Sequence, residues 1–166
     1  MAETFDPGAL PAERAARYAE VADEIAAVLE GEPDRVARMA TVASMLASAF
    51  GARFFWTGFY VVDPAKGAEL VVGPYQGTLG CLRIVFGRGV CGTAAAERRT
   101  VIVPDVEAFP GHIACDSRSR SEIVLPVFDP SGALIAVLDV DSTEIDAFDQ
   151  ADAAGLERIL AQTFGV

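Results

Sequence analysis

The chain reads as one α+β domain, a mainly antiparallel sheet with helices packed on it. Three observations predict this class. Two stretches near the start and one at the end repeat apolar residues at helical spacing. The middle holds short aromatic and β-branched runs bounded by glycine and proline. Hairpin turns dominate the connections between those runs, so neighbouring strands should pair antiparallel. At 166 residues, 52% of them hydrophobic, the chain has the size and composition of one domain around a single core.

The elements follow in order. A frayed segment is expected at 1–12, then a helix at 13–30 with Ala15, Tyr18, Val21, Ala22, Ile25, Val28 and Leu29 on its apolar face. GEP at 31–33 breaks it. A second helix starts near Asp34, buries Val36, Met39, Ala40, Ala43, Leu46, Ala47 and Phe50, and stops at Gly51. Strands are expected in ARFFWTGFYVVD, AELVVGPY, CLRIVF and TVIVPDV, with GVCGTAAAER opening a helix after a glycine-rich turn. Residues 107–121 have no period and read as a loop. EIVLPVFD and ALIAVLDVD form a hairpin about the turn PSG, and a helix at 146–164 presents Phe148, Leu156, Ile159 and Leu160.

Charge narrows the function. Thirteen basic residues against twenty-four acidic ones leave a formal charge of −11, which argues against nucleic acid and anionic membrane surfaces as partners. No apolar run approaches the roughly 20 residues that span a bilayer. The start, MAETFDPGALPAERAARYAE, has neither a basic head nor an apolar stretch, so a reducing cytoplasm is expected. There, three cysteines are core residues, metal ligands or redox groups rather than a static disulfide framework.

Several residues could carry chemistry. In LIAVLDVD, Asp139 and Asp141 point to one face of a strand, and Glu122 begins its hairpin partner. Either the strand ends there with both acids in water, or the acids crowd at a pocket mouth. Crowding would raise one pKa enough to make a proton donor near neutrality and would suit a cationic ligand. Cys81 starts an apolar strand and reads as core. Cys91 opens a helix, whose N–H groups would favour its thiolate, and Cys115 lies in GHIACDSRSRSE beside Arg118 and Arg120. A zinc set of Cys81, Cys91, His112 and Cys115 lacks any C-x-x-C knuckle, and a Cys115–His112 nucleophile rests on the chain's only histidine. In WTGFY, Trp56, Gly58 and Tyr60 share one face as an aromatic wall with a gap, suited to a flat or thioether-bearing ligand.

Taken together, WTGFYV, GPYQGTLGCLRIVFGRGVCGTA, GHIACDSRSRSEIVLP and VLDVDS resemble the signatures of the free methionine-(R)-sulfoxide reductases, a family built on a GAF domain. The resemblance runs from the second helix through Ser142, with the last helix compatible. It implies a GAF-like fold, a homodimer, and reduction of free methionine-R-sulfoxide with thioredoxin as reductant and no metal or organic cofactor. By this resemblance Cys115 is the catalytic nucleophile, Cys81 the resolving cysteine and Cys91 an auxiliary one. Trp56, Tyr60, Glu122, Asp139 and Asp141 match residues of the substrate site. Departures are small: Ala136 stands where similar sequences tend to have glycine, and the FDPSGAL turn is slightly longer than in some relatives. The expected cycle passes through a sulfenic acid on Cys115 and a disulfide with Cys81, with Cys91 able to exchange, and needs a loop that can move. The rival expectation is a non-catalytic GAF module that binds a small ligand or senses redox state.

Overall fold

The structure, a computed structural model, describes residues 10–165. Helix α1 spans Pro11–Val28, two residues earlier at each end than its periodicity suggests. Pro11 occupies the first helical position, where a missing N–H is harmless, and the Leu10 N–H donates to Glu13 Oε2 at 2.9 Å. Residues 11 and 12 are therefore helical, and the rest of the expected fray up to residue 9 lies outside the described residues. Tyr18, Val21, Ala22 and Ile25 are buried; Ala15 and Val28 face solvent, and Arg14 turns inward.

Helix α2 covers Arg35–Phe50, capped by Asp34, whose side chain accepts from the Ala37 N–H at 2.8 Å. It buries Met39, Val42, Ala43, Leu46 and Phe50, whereas Val36 and Ala40 stay exposed. Gly51 ends it at φ 57°, in the left-handed region that glycine enters without penalty. The next residues do not extend at once, as the sequence reading expected. Gly51–Arg53 form a 3₁₀ turn that tucks Arg53 into the interior, and strand β1 begins only at Trp56, running Trp56–Val62.

The remaining elements are β2 (Glu69–Gln76), β3 (Arg83–Val85), α3 (Gly89–Glu97), β4 (Val101–Val103), β5 (Ser121–Phe128), β6 (Leu134–Ser142) and α4 (Gln150–Phe164). A second 3₁₀ turn, Val106–Ala108, interrupts the long loop between β4 and β5. Helix α4 starts four residues later than expected. Asp146 sits at φ 55°, and Asp149 caps the helix by accepting from the Ala151 and Asp152 N–H groups. The six strands form one antiparallel sheet in the order β3-β2-β1-β6-β5-β4.

Alternation along the central strands sorts residues between two layers. Phe59, Ile123, Leu125, Val127, Ala136, Leu138 and Val140 meet α1, α2 and α4 in the larger core. Trp56, Tyr60, Val124 and Val137 point to the other face, where α3 and the long loops cover them. Ala136 is fully buried in the larger core, opposite Val61 on one side and Val127 on the other.

One polar cluster crosses the larger core. The Arg53 guanidinium donates to both oxygens of Asp152, at 2.8 and 2.7 Å, and also to the Ala147 carbonyl. The Tyr18 hydroxyl donates to Asp152 Oδ1 at 2.9 Å, and the Asp149 N–H to Oδ2 at 2.8 Å. Asp152 is fully buried and Arg53 nearly so, and the pair is held because both carboxylate oxygens and both terminal guanidinium nitrogens find partners. It ties the turn ahead of β1 to the start of α4. Replacing Asp152 with alanine leaves a buried guanidinium without its anion and should destabilise the protein by about 3–5 kcal/mol. Urea unfolding measures this, and a loss below about 1 kcal/mol would show that the pair is not the anchor described.

Candidate active site

Strand register builds the site. Across β1, β6 and β5, Trp56 pairs with Asp141 and Asp141 with Glu122. One step along, Gly58 pairs with Asp139, and Asp139 with Val124. The three acids and the indole therefore occupy neighbouring positions on one face. They line a cavity of about 40 Å³, room for roughly three waters, with Tyr60, Cys91 and Cys115 also in its wall. Cys81 joins the site through its disulfide with Cys115, Cα–Cα 5.5 Å.

The aromatic wall is tightly seated. Trp56 stacks with Tyr60 (centroids 5.5 Å apart) and with Tyr75 (5.1 Å), and its Nε1–H donates to the Thr78 carbonyl at 2.8 Å. The indole needs bare backbone beside it. A Cβ on Gly58 would lie 2.9 Å from Trp56 Cη2, and one on Gly80 2.9 Å from Trp56 Cζ2. Burial, with Asp139 second, raises the pKa of the Tyr60 phenol, so it stays a neutral donor at physiological pH.

Glu122 and Asp139 are each only 5% exposed, and Asp141 is partly buried at the cavity edge. Burial raises the pKa of all three above the usual carboxyl range. Repulsion adds to this: Asp141 acts on Glu122, Glu122 on Asp139, and Asp139 on Asp141. The acids do not disperse into water, and burial favours their protonated forms. Asp139 Oδ1 is buried without a hydrogen-bond partner.

Cys91 departs from its expected chemistry. It is the third residue of α3, but burial pushes its thiol pKa well up, helped by Asp139, Glu122 and Asp141. A helix N-terminus supplies only about 0.3–1 kcal/mol, too little to hold a thiolate against desolvation and three acids. The thiol donates instead to Glu122 Oε1, Sγ–O 3.9 Å. His112 lies 3.4 Å from the other oxygen, Nε2 to Oε2, and burial lowers its pKa. The contact it makes is therefore with Glu122, which removes the support for a Cys115–His112 pair. In this form Cys81 and Cys115 are bonded to each other, so neither is a thiolate ligand for the zinc set read from sequence.

Arg118 is likewise committed elsewhere. It pairs with Asp116 at 2.8 Å and covers the Phe55 ring at 4.9 Å, so its charge beside Cys115 is largely neutralised. Asp116 in turn is held far below the ordinary carboxylate range by Arg118, by the Arg118 N–H and by the Thr78 hydroxyl. Arg120 anchors the loop through backbone: its N–H donates to the Ser142 carbonyl and its carbonyl accepts from the Val106 N–H. Thr78 is a residue the sequence reading missed. Its hydroxyl donates to Asp116 Oδ2 at 2.7 Å, so it joins the Cys81 loop to the Cys115 loop. Only TLGC, a polar residue just ahead of a cysteine, could have signalled it.

The profile of the GAF domain family matches residues 32–163. A protein named free methionine-R-sulfoxide reductase from Escherichia coli (strain K12) is 41% identical over 145 residues, spanning 87% of this chain and 85% of that one. The chain belongs to the free methionine-R-sulfoxide reductase family of GAF domains. GAF domain-containing protein A of Dictyostelium discoideum is also similar, at 49% identity over 144 residues, 87% of this chain and 88% of its own. So is the X-ray structure of free methionine-R-sulfoxide reductase from Neisseria meningitidis in complex with its substrate. That chain is 47% identical with a TM-score of 0.86, and the match covers 98% of this chain and 93% of that one.

The carboxyl cluster should leave a mark on stability. A folded carboxyl with a raised pKa holds a proton that the unfolded chain releases above about pH 4, so stability falls as pH rises through the window between the two values. His112 acts oppositely: its lowered pKa makes stability rise with pH through the window below about 6.5, and the gain is complete above it. Glu122→Gln should therefore gain about 1 kcal/mol or more over wild type at pH 7, and almost nothing at pH 4. Equal pH slopes in chemical unfolding of the two proteins would contradict the burial argument.

Proposed function

We propose that this chain reduces free methionine-R-sulfoxide to methionine, with Cys115 as nucleophile. One observation carries the reading: a cysteine already able to close a disulfide borders a cavity whose buried carboxyls form no ion pair with a lysine or arginine among the described residues. A free amino acid brings a cation as its ammonium, which a methionine within a peptide lacks.

In the cycle, the Cys115 thiolate attacks the sulfoxide sulfur while a protonated member of the Glu122, Asp139 and Asp141 group donates to the oxygen. Oxygen passes to Cys115, methionine departs and a sulfenic acid remains. The Cys81 thiol displaces the hydroxyl as water, forming the Cys81–Cys115 disulfide. Two thiols of a partner protein, thioredoxin by resemblance, reduce that bond and are themselves oxidised. Cys91 is assigned the auxiliary exchange role, though its buried, carboxyl-facing thiol makes it a slow nucleophile. Trp56 packs on the methyl-thioether end, with Tyr60 behind it. In the disulfide form the cavity has space for only about three waters, so the 111–120 loop must withdraw to admit an amino acid. The homodimer and the cytoplasmic setting belong to the same proposal. Among the described residues, no helix is long and apolar enough to cross a membrane.

Cys115→Ser should abolish methionine release even in a single turnover, whereas Cys81→Ser should keep the first turnover and lose most steady-state recycling. Mixing the reduced wild type with substrate should consume two thiols per chain as methionine appears. A binding module would consume none, and that result would replace this reading with the sensor one. Asp141→Asn should lower kcat/KM by about tenfold or more, as expected for a lost charge contact worth at least 1.4 kcal/mol. Unchanged kinetics in that variant would remove Asp141 from the site.

A further inference from the structure

We propose that the apolar side chains around the Cys81–Cys115 bond, those of Leu79, Leu82 and Ile113, form the docking surface for a protein dithiol reductant. This deepens the proposed cycle and rests on it, since only turnover gives the bond a need for recycling.

Among the described residues eight large hydrophobic side chains are exposed, and three of them stand within two positions of a bridged cysteine. Leu79 is 77% exposed, Leu82 70% and Ile113 43%. Exposed leucines scattered singly mean little, but a group of them around one reactive bond marks a contact surface. The backbone holds these side chains out. Thr78, just before Leu79, accepts from the Trp56 indole at its carbonyl, and Gly80, just after, lies against the same ring. The Leu82 carbonyl accepts from the Val72 N–H at 2.9 Å. Ile113 packs on the start of α3, where a Cβ on Gly89 would lie 3.1 Å from its Cγ1. Pinned at these points, the three side chains stay in water until a partner covers them.

Charge agrees with this reading. The formal charge of the chain is −11, yet residues 77–82 and 111–115 contain no acid, lysine or arginine. Burial lowers the pKa of His112, which leaves it neutral at physiological pH. At the rim Asp116 and Arg118 neutralise each other. A neutral apolar centre within a polar rim is the make-up of a protein–protein contact. A small thiol needs only access to sulfur and gains nothing from such a surface. A protein whose reactive thiol stands in an uncharged apolar face gains from it, which commits the surface to that class of partner.

Of the bridged pair Cys115 is the exposed residue and Cys81 the half-buried one. The partner's first thiolate therefore attacks Cys115 Sγ. The bond to Cys81 breaks, and Cys81 leaves as a thiolate that takes up a proton. The partner's second thiol then displaces Cys115 from the mixed disulfide. Two electrons and two protons pass to this chain, and the partner ends as a disulfide. Val85 supplies an internal control. It is 54% exposed, but alternation with the buried Ile84 turns it to the other face of β3.

The test follows reduction of the oxidised full chain by alkylation and intact mass, with reduced thioredoxin in one arm and dithiothreitol in the other. Leu82→Ser should slow reduction by thioredoxin about fivefold or more, and Leu79→Ser combined with Leu82→Ser about twentyfold. Both should leave the dithiothreitol rate within about twofold of wild type, and Val85→Ser should leave both rates there. An unchanged thioredoxin rate in the double variant, an equal slowing with dithiothreitol, or an equal slowing in Val85→Ser would each overturn the surface. Wild type that dithiothreitol reduces and thioredoxin does not would do the same. So would loss of the wild-type oligomeric state in Leu82→Ser with the thioredoxin rate intact, which assigns the face to a second copy. Methionine release in a single turnover of reduced protein uses no reductant and is read separately, so failure of the activity and failure of the surface are distinguishable.

Discussion

Three carboxyl groups held side by side on adjacent strands, paired with no lysine or arginine among the described residues, set the chemistry of everything around them. The register of β1, β6 and β5 enforces the arrangement, because moving β5 or β6 by one residue would turn an acid into the helical core, and moving β1 would turn Trp56 there. Burial, reinforced by their mutual repulsion, favours their protonated forms, suppresses ionisation of Cys91 and favours a cation as the occupant. A site built this way is under electrostatic stress when empty, a common trade of stability for binding.

The opposite face of the sheet supplies the rigidity that such an arrangement needs. Phe59, Leu125 and Leu138 are fully buried beneath three helices, while their strand neighbours Tyr60, Val124 and Asp139 face the cavity. The same backbone thus carries a dry apolar layer and a polar one. The Arg53–Asp152 pair adds a fixed point at the edge of β1, three residues before Trp56, which limits how the indole can be placed.

Much of this was legible in the sequence, and for a local reason. Alternation puts Trp56 with Tyr60, and Asp139 with Asp141, without knowledge of the rest of the fold. Helical period similarly identified Tyr18, Ile25, Leu46 and Leu156 as core. What stayed hidden depended on neighbours distant in the chain. Burial cancelled the helix-terminus argument at Cys91. Arg118 was captured by an acid two positions away, so it does not serve Cys115. Asp149 moved the start of the last helix, and the inward turn of Arg53 shortened the first strand, because both ends answer to partners nearly a hundred residues away or to capping geometry. Thr78 meets Asp116 across a separation of 38 residues, which no periodicity records.

Thr78 has one more implication. Its carbonyl holds the indole and its hydroxyl holds the aspartate next to Cys115, so displacement of that loop disturbs the surroundings of Trp56. Trp56 is the only tryptophan in the chain. If the proposed cycle opens the disulfide and moves that loop, Trp56 emission would serve as a built-in optical gauge of the thiol–disulfide state, legible in unlabelled protein and without a coupled assay.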